Sequence, residues 1–312
     1  MDCNLIVLLG PTASGKTRVA VRLAREFGLE IISADSRQVY RGLDIGTGKD
    51  LGEYVADGRP VPYHLIDIVN PAEEFSVFDY QSRFHSLFLS LQARGVLPIL
   101  AGGSGLYLDA VIRGYRMTAV PVNPALRREL EVMASEDLEC RLRSLRPSFH
   151  NTTDFKDRNR AIRAIEIAEA CARTGREDVP PPDIRPFIVG IRWDRGTIRQ
   201  RIAGRLEQRI RAGMVDEVRR LYETGLSWQR MESLGLEYRY VSRYLRGEMS
   251  YPDMLQTLNL QIGRFAKRQI TWFRKMERQG AVIHWIEGDD HETAKGLVRS
   301  VLKSSHTIDS PR

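Results

Sequence analysis

Cysteine is scarce. The 312 residues hold three, Cys3, Cys140 and Cys171, far apart and never in C-x-x-C spacing. An odd, scattered set argues against a disulfide framework and against a zinc site, and it fits a reducing cytoplasm. Long apolar runs are also missing: no stretch approaches the roughly 20 residues that cross a bilayer. The N-terminal MDCNLIVLLG is apolar but short, and it lacks the basic start of a signal peptide. Neither a low-complexity tract nor an internal repeat is present, so the chain reads as an ordinary globular protein with no membrane partner.

What is present is a basic chain, 42% hydrophobic and 28% charged, with a formal net charge of +7. That balance favours an anionic partner, nucleic acid or a phosphorylated metabolite. Asn4 to Leu9 is a continuous apolar run closed by glycine, the pattern of a parallel strand covered on both faces. GKTRVAVRLAREFG follows with apolar residues at helical spacing, and Gly28 is its expected stop. Further strands are expected at 30–36, 63–68 and 96–103, with a helix in SVFDYQSRFHSLFLSLQARG between the last two. Strands alternating with helices predict an α/β fold, a P-loop NTPase-like parallel sheet flanked by helices.

The texture changes near Gly114, where strand patterns stop and short helical ones begin. The expected organisation is a first part of the core over 1–113 and a helical insertion subdomain over 114–158. The remainder of the core, mostly helical, would then run over 159–304, with a frayed, disordered tail at 305–312. The Pro-rich DVPPPDIRP leads into FIVGIRW, a strand near 187–193 returning to the sheet, and AVIHWIEG is a candidate final strand. From Thr197 the spacing predicts a long amphipathic helix. Its buried stripe is Ile198, Ile202, Leu206, Ile210, Met214 and Val218, flanked by Arg201, Arg205 and Arg209.

Gly10-Pro11-Thr12-Ala13-Ser14-Gly15-Lys16-Thr17 is a complete Walker A pattern, placed after an apolar strand and opening a helix. Glycines let the backbone wrap an anion, and N–H groups at a helix start point at phosphate oxygens. Lys16 neutralises charge and Thr17 offers a hydroxyl to Mg²⁺. A motor or switch NTPase would continue with an apolar strand ending in an Asp for Mg²⁺. VLPILAGG ends in glycines instead, and the near match is IISAD, ending at Asp35. Asp35 opens a dense constellation, DSRQVYRGLDIGTGK, in the crevice where open α/β sheets place ligands. On position alone its carboxylate could bind Mg²⁺, accept a proton or cap a turn.

GPTASGKT, SADSRQVYRGLDIGTGK, HLID, AGGSGLYLDAVIRG, RNRAIRAIE and AKRQITWFR occur here in the order found in bacterial tRNA dimethylallyltransferases, which the chain resembles over roughly residues 4 to 278. The resemblance implies that the phosphate loop holds the diphosphate of dimethylallyl diphosphate rather than a nucleoside triphosphate. It implies, as second substrate, the adenosine 3′ of the anticodon in a tRNA anticodon stem-loop, whose N6 amine takes the dimethylallyl group. Asp35 matches the family's catalytic Asp, with Lys16 and Ser104 beside it. Arg201 or Arg205 would reach the diphosphate; sequence does not separate them. Asp35, Ser36, Arg37, Gln38 and Ser104 fall where the family handles the target base. Asn159, Arg160, Ala161, Ile162 and Arg163 fall where it holds neighbouring nucleotides, and Arg127 matches a phosphate-contacting Arg. Mg²⁺, held partly by Thr17, is the implied cofactor, and a cytoplasmic monomer is expected.

Departures from the family pattern gather on the acceptor side: Gly102-Gly103-Ser104 for Gly-Gly-Thr, Gly48 within Gly46-Thr47-Gly48-Lys49-Asp50, Ile262-Gly263-Arg264 and Leu234-Gly235-Leu236-Glu237-Tyr238. Three other readings stand beside transfer to tRNA. Prenyl transfer to a free adenine nucleotide is disfavoured by the insertion and the Arg-rich helices. A small-molecule kinase is disfavoured by the Asp-Ser…Asp-Ile-Gly-Thr cluster and by the lack of an Arg-rich lid sequence. A tRNA-binding protein without catalysis is disfavoured by the intact Lys16, Thr17 and Asp35.

Overall fold

The computed structural model describes residues 3–56, 58–117, 120–145, 158–174 and 180–306. The chain divides into two compact units, one running to Gly114 and again from Pro182, the other spanning Tyr115–Pro181. In order, the first unit contains β1 (Leu5–Leu9), α1 (Lys16–Phe27), β2 (Glu30–Ala34), the short pair β3 (Val55–Ala56) and β4 (Arg59–Pro60), β5 (Tyr63–His64), α2 (Val77–Ala93), β6 (Pro98–Gly102) and α3 (Gly105–Ile112). The second unit holds α4 (Pro124–Glu131), α5 (Ser135–Leu145) and α6 (Arg158–Thr174). The first unit resumes with β7 (Pro186–Arg192), α7 (Arg195–Arg211), α8 (Met214–Glu223), α9 (Trp228–Leu234), α10 (Leu236–Leu245), α11 (Tyr251–Arg278), β8 (Ile283–Glu287) and α12 (His291–His306).

The main sheet has six strands in the order β5-β2-β6-β1-β7-β8, and every pairing is parallel. All five residues of β1 are buried because helices cover both faces. Ile6 and Leu8 pack with α1 and α12, whereas Leu5, Val7 and Leu9 pack with α2, α3 and α11. The chain leaves β1 for β2 on one side and later returns to β7 on the other. The loop after β1 therefore opens at the point where the strand order reverses, where such sheets bind ligands.

Three sequence expectations change in the structure. The strand expected over 63–68 shrinks to Tyr63–His64, because Leu65 and Asp67 turn to φ 61 and 56, which strand pairing does not accommodate. The long helix from Thr197 is two helices broken at Gly213, whose φ of 95 ends the α7 path and starts α8. The stripe survives the break: Ile198, Ile202, Leu206, Met214 and Val218 are all buried in one core with α9 to α11, and Ile210 packs at its margin. The helical insert runs to Pro181, past the expected 158, since α6 supplies Ala161, Ile162 and Ile165 to the core formed by Leu126, Leu130, Leu138 and Leu142.

In the expected tail, α12 runs through residue 306, and 307–312 lie outside the described residues. Cys3 and Cys140 stand as thiols, and the side chain of Cys171 lies outside the description. No helix among the described residues is long and apolar enough to cross a membrane.

Candidate active site

The loop between β1 and α1 spans Gly10 to Gly15. Ala13 sits at φ 60 and Gly15 at φ 87, so the chain takes left-handed steps just before the helix. A side chain at Gly15 would also meet Asp289, whose Oδ2 lies 2.8 Å from the Cβ position. Three loop carbonyls are occupied: Ser14 O accepts from Trp193 Nε1 at 3.0 Å, Ala13 O from Arg201 Nε at 2.8 Å, and Pro11 O from Lys16 Nζ at 3.4 Å. The N-terminus of α1 has no side-chain cap and no acidic residue in its first turn, so its unpaired N–H groups and positive dipole end are available to an anion. Ser14 Oγ is buried with no hydrogen-bond partner among the described residues.

That loop forms one end of a cleft of about 1210 Å³, shared with Asp35, Ser36, Arg37, Gln38 and Ser104. Lys16, Arg201, Arg205 and Arg209 all line it. The cations repel one another across it. Burial, with help from Arg205 and Arg209, lowers the Lys16 ammonium to about 8, against the pull of Asp35. Burial and then Arg205 likewise draw the Arg209 guanidinium down. The carboxyls of Glu53 and Glu237, also in the cleft wall, are raised by burial. A pocket whose cations are desolvated and crowded gains most from a multivalent anion.

Asp35 follows β2, so the strand end aims it into the cleft. Its Oδ1 accepts from the backbone N–H of Arg37 at 2.8 Å and of Gln38 at 3.3 Å, while Oδ2 makes no hydrogen bond among the described residues. One oxygen caps the turn and the other remains for chemistry, so capping and proton acceptance are compatible. Ser104 Oγ accepts from Ser36 N at 3.0 Å, and Ser104 N donates to Ala34 O at 3.2 Å, tying the β6–α3 corner to the Asp35 turn. Gln38 is committed at both ends of its amide: Nε2 donates to Gly48 O at 3.0 Å, and Oε1 accepts from Ser33 Oγ at 3.1 Å. Thr17 lines the cleft one residue after Lys16. Among the described residues no three His, Cys, Asp or Glu side chains converge as a metal site.

The two candidate arginines differ in placement. Arg201 braces the phosphate loop itself and stacks on Trp193 with 4.5 Å from guanidinium carbon to ring centre. Arg205 donates to Gly48 O at 3.3 Å and pairs with Asp50 at 3.1 Å, and its charge acts on Lys16.

In the second unit Arg127 is bidentate to Glu166, both bonds 3.0 Å, and Arg163 and the Asn123 N–H reach the same carboxylate. Burial pushes the Glu166 carboxyl up, but these bonds outweigh it and hold it below the ordinary range. Of the residues assigned to nucleotide contacts there, Asn159 and Arg160 are exposed and Arg163 is half-buried. Ala161 and Ile162 are not surface residues. They are 4% and 3% exposed in the core of that unit, because α6 turns that face toward α4 and α5.

Three site residues escaped the sequence reading. Gln269, buried on α11, accepts from Thr12 N and donates to Gly103 O, both at 2.8 Å, and so locks the phosphate loop to the β6–α3 corner. Its only signal is its place in AKRQITWFR. Arg209 donates to Gly46 O at 3.1 Å; its signal is the four-residue spacing from Arg205, which puts both on one helix face. Glu217 has no signal at all, being one acidic residue among several in α8.

Fold and site together define a P-loop α/β protein that sets a phosphate-binding loop and a half-free carboxylate in one cleft. Comparison with known proteins narrows this. The family profile described as IPP transferase matches residues 38–276. A tRNA dimethylallyltransferase 1 of Syntrophus aciditrophicus is 56% identical over 302 residues, covering 96% of this chain and 99% of its own. A tRNA dimethylallyltransferase 2 of Trichlorobacter lovleyi is 57% identical, with 92% and 93% covered. The solved tRNA isopentenylpyrophosphate transferase of Bacillus halodurans superposes with a TM-score of 0.70 at 31% identity, covering 99% of both chains. A eukaryotic dimethylallyltransferase acting on tRNA shares the fold, with a TM-score of 0.78 at 20% identity over 99% of this chain and 80% of its own. The chain belongs to the IPP transferase family.

Proposed function

We propose that this chain is a tRNA dimethylallyltransferase. It moves a dimethylallyl group from dimethylallyl diphosphate to the N6 amine of the adenosine 3′ of the anticodon and releases diphosphate. The observation that carries the reading is the single cleft in which Lys16 and the uncapped start of α1 face the Asp35 carboxylate.

The donor's diphosphate lies in the loop, where Lys16, Arg201 and Arg205 take up its charge as the carbon–oxygen bond breaks. The adenosine enters the other end. N6 forms the new bond to the allylic carbon, the bonding pair of the broken bond leaves with diphosphate, and the N6 proton passes to Oδ2 of Asp35. Oδ1 stays bound to the turn, so the acceptor oxygen is held in place throughout. Ser104 steadies that turn through Ser36.

The Thr17 hydroxyl on the open helix end suits a hard cation that takes its other ligands from diphosphate and water. Mg²⁺ bound there would add charge neutralisation at the leaving group. The net charge of +7 and the exposed Asn159 and Arg160 support tRNA as the acceptor, and modification of tRNA fits a cytoplasmic protein. We take the active unit to be a monomer.

The test is transfer of label from radioactive dimethylallyl diphosphate, with Mg²⁺, to unmodified tRNA bearing adenosine 3′ of the anticodon, with free AMP in parallel. Label in the tRNA alone is expected. Label in AMP alone, or none in either with ATP consumed, would overturn the reading.

A further inference from the structure

The loop from Asp44 to Lys49 is held by a carboxylate that does not line the cleft. Glu217, on α8 and 4% exposed, accepts four hydrogen bonds. Oε2 takes the backbone N–H of Asp44 at 3.0 Å and of Ile45 at 2.7 Å. Oε1 takes the N–H of Gly46 at 3.0 Å and the hydroxyl of Tyr238 at 2.7 Å. Three successive N–H groups form an anion-binding concavity, filled here by the protein's own side chain.

The held segment is tied to the rest of the loop, Gly48 N donating to Ile45 O at 3.1 Å and Lys49 N to Asp44 O at 3.2 Å, and later carbonyls of the loop meet side chains of the cleft. Gly46 O accepts from Arg209 at 3.1 Å, and Gly48 O accepts from both Gln38 at 3.0 Å and Arg205 at 3.3 Å. The glycines are spatial requirements of the same arrangement. A Cβ at Gly46 would lie 2.6 Å from the Tyr238 ring, and one at Gly48, where φ is 61, would lie 1.7 Å from an Arg209 nitrogen and 2.3 Å from one of Arg205. Lys49 pins the loop's end, buried and bonded to Tyr40 O at 2.7 Å, to Asp44 at 2.8 Å and to Asp67.

We infer that Glu217 is a positioning residue: through the backbone of Asp44 to Gly48 it sets Gln38 at the acceptor end of the cleft and Arg205 and Arg209 at the donor end. The inference rests on the transferase reading for what those three side chains meet, and on geometry alone for their dependence on Glu217. An amide in place of the carboxylate presents N–H groups to N–H groups, so Glu217→Gln breaks at least one of the loop bonds while keeping shape and volume.

The experiment measures steady-state transfer to tRNA and calorimetric binding of inorganic diphosphate for the full chain, in wild type, Glu217→Gln, Gln38→Ala and the double variant. Glu217→Gln is expected to lower kcat/KM for tRNA by about ten- to a hundredfold and to raise the diphosphate Kd by about three- to tenfold. Because Glu217 acts partly through Gln38, its further effect on kcat/KM in the Gln38→Ala background is expected to shrink by at least about threefold. A general loss of folding would leave the two effects multiplicative.

Multiplicative effects, or a wild-type diphosphate Kd in Glu217→Gln, would overturn the inference. Tyr238→Phe removes one of the four bonds and is expected to show the same pattern, weaker. If Glu217→Gln does not fold, wild-type kinetics and wild-type diphosphate binding in Tyr238→Phe would overturn the inference in its place. If the wild type labels no tRNA, the transferase reading falls, and the diphosphate arm alone decides the role of Glu217.

Discussion

Replacing Asp35 by Asn and by Ala separates the two jobs its carboxylate does. Asn keeps an oxygen where Oδ1 accepts from the N–H groups of Arg37 and Gln38, but its amide cannot take a proton from N6. Ala removes both functions. A positioned general base contributes about 10²- to 10⁴-fold, or about 2.7–5.5 kcal/mol of barrier, so both variants are expected to lose that much kcat. The cap is a smaller effect, about 0.5–2 kcal/mol for losing a side-chain acceptor at a turn or helix start. It is expected in Ala alone, as a melting temperature lower by about 2–4 °C for each kcal/mol. Diphosphate affinity should stay close to wild type in both, since the carboxylate faces the acceptor. Single-turnover transfer to tRNA measures the first effect, and thermal melting with diphosphate calorimetry measures the other two. Should Asp35→Asn keep turnover within about tenfold of wild type while Asp35→Ala loses it, the carboxylate is only a cap, and the proton leaves by another route.

Lys16 titrates at about 8 in the donor-free protein, so below that pH it already carries the charge a diphosphate needs. Above it, binding must take up a proton, and affinity is expected to fall by up to about tenfold per pH unit until the higher pKa of the bound state is reached. Calorimetry from about pH 7 to about pH 9.5 tests this, with Lys16→Arg expected to remain flat and a flat wild-type curve refuting the assignment. Gln269→Ala strips the Thr12 N–H and the Gly103 carbonyl of their shared partner, so about 1–3 kcal/mol of stability should go together with a raised KM for the donor; a changed melting temperature with an unchanged KM would mean the bridge does not shape the phosphate loop. Ile162→Ala opens a cavity in the core of the helical unit and should cost about 2–5 kcal/mol there, seen as early proteolysis within 115–181 while diphosphate still binds. Resistance equal to wild type would put Ile162 outside that core.

How much of this was legible in the sequence depended on whether the cause was local. The phosphate loop was, because glycine freedom, a lysine and a helix start are consecutive in the chain and a short window contains the whole device. So was β1, whose five apolar residues admit one reading between two helix layers. The strand expected over 63–68 was not, since nothing in the alternation of YHLIDI announces that Leu65 and Asp67 will take positive φ. Nor was the break at Gly213: the apolar stripe keeps its four-residue rhythm through it, so periodicity reports the buried face without reporting continuity. The motif groups Ala161 and Ile162 with their polar neighbours, whereas a helix gives adjacent residues different faces.

The same distinction explains why Arg201 and Arg205 could not be ranked and why Glu217 was invisible. Four residues apart on α7, the two arginines present the same helix face, and sequence offers no further handle. What separates them is what lies opposite: the Ala13 carbonyl and the Trp193 ring for Arg201, the Gly48 carbonyl and Asp50 for Arg205. Those partners are more than a hundred and fifty residues away for Ala13, Gly48 and Asp50. Glu217 lies just as far from the loop it holds, 171 to 173 positions on, and its effect reaches the cleft through backbone carbonyls. A motif search registers side chains that meet the ligand. Here the arrangement of those side chains depends on Gln269 and Glu217, which hold main-chain atoms, and on Tyr238, which holds Glu217, so the drift of the acceptor-side motif at Gly48 and Ser104 can be absorbed wherever the backbone it rides on is held in place. Gly48 shows how: without a Cβ it admits both guanidinium groups to the loop, and its carbonyl, not its side chain, carries the contacts.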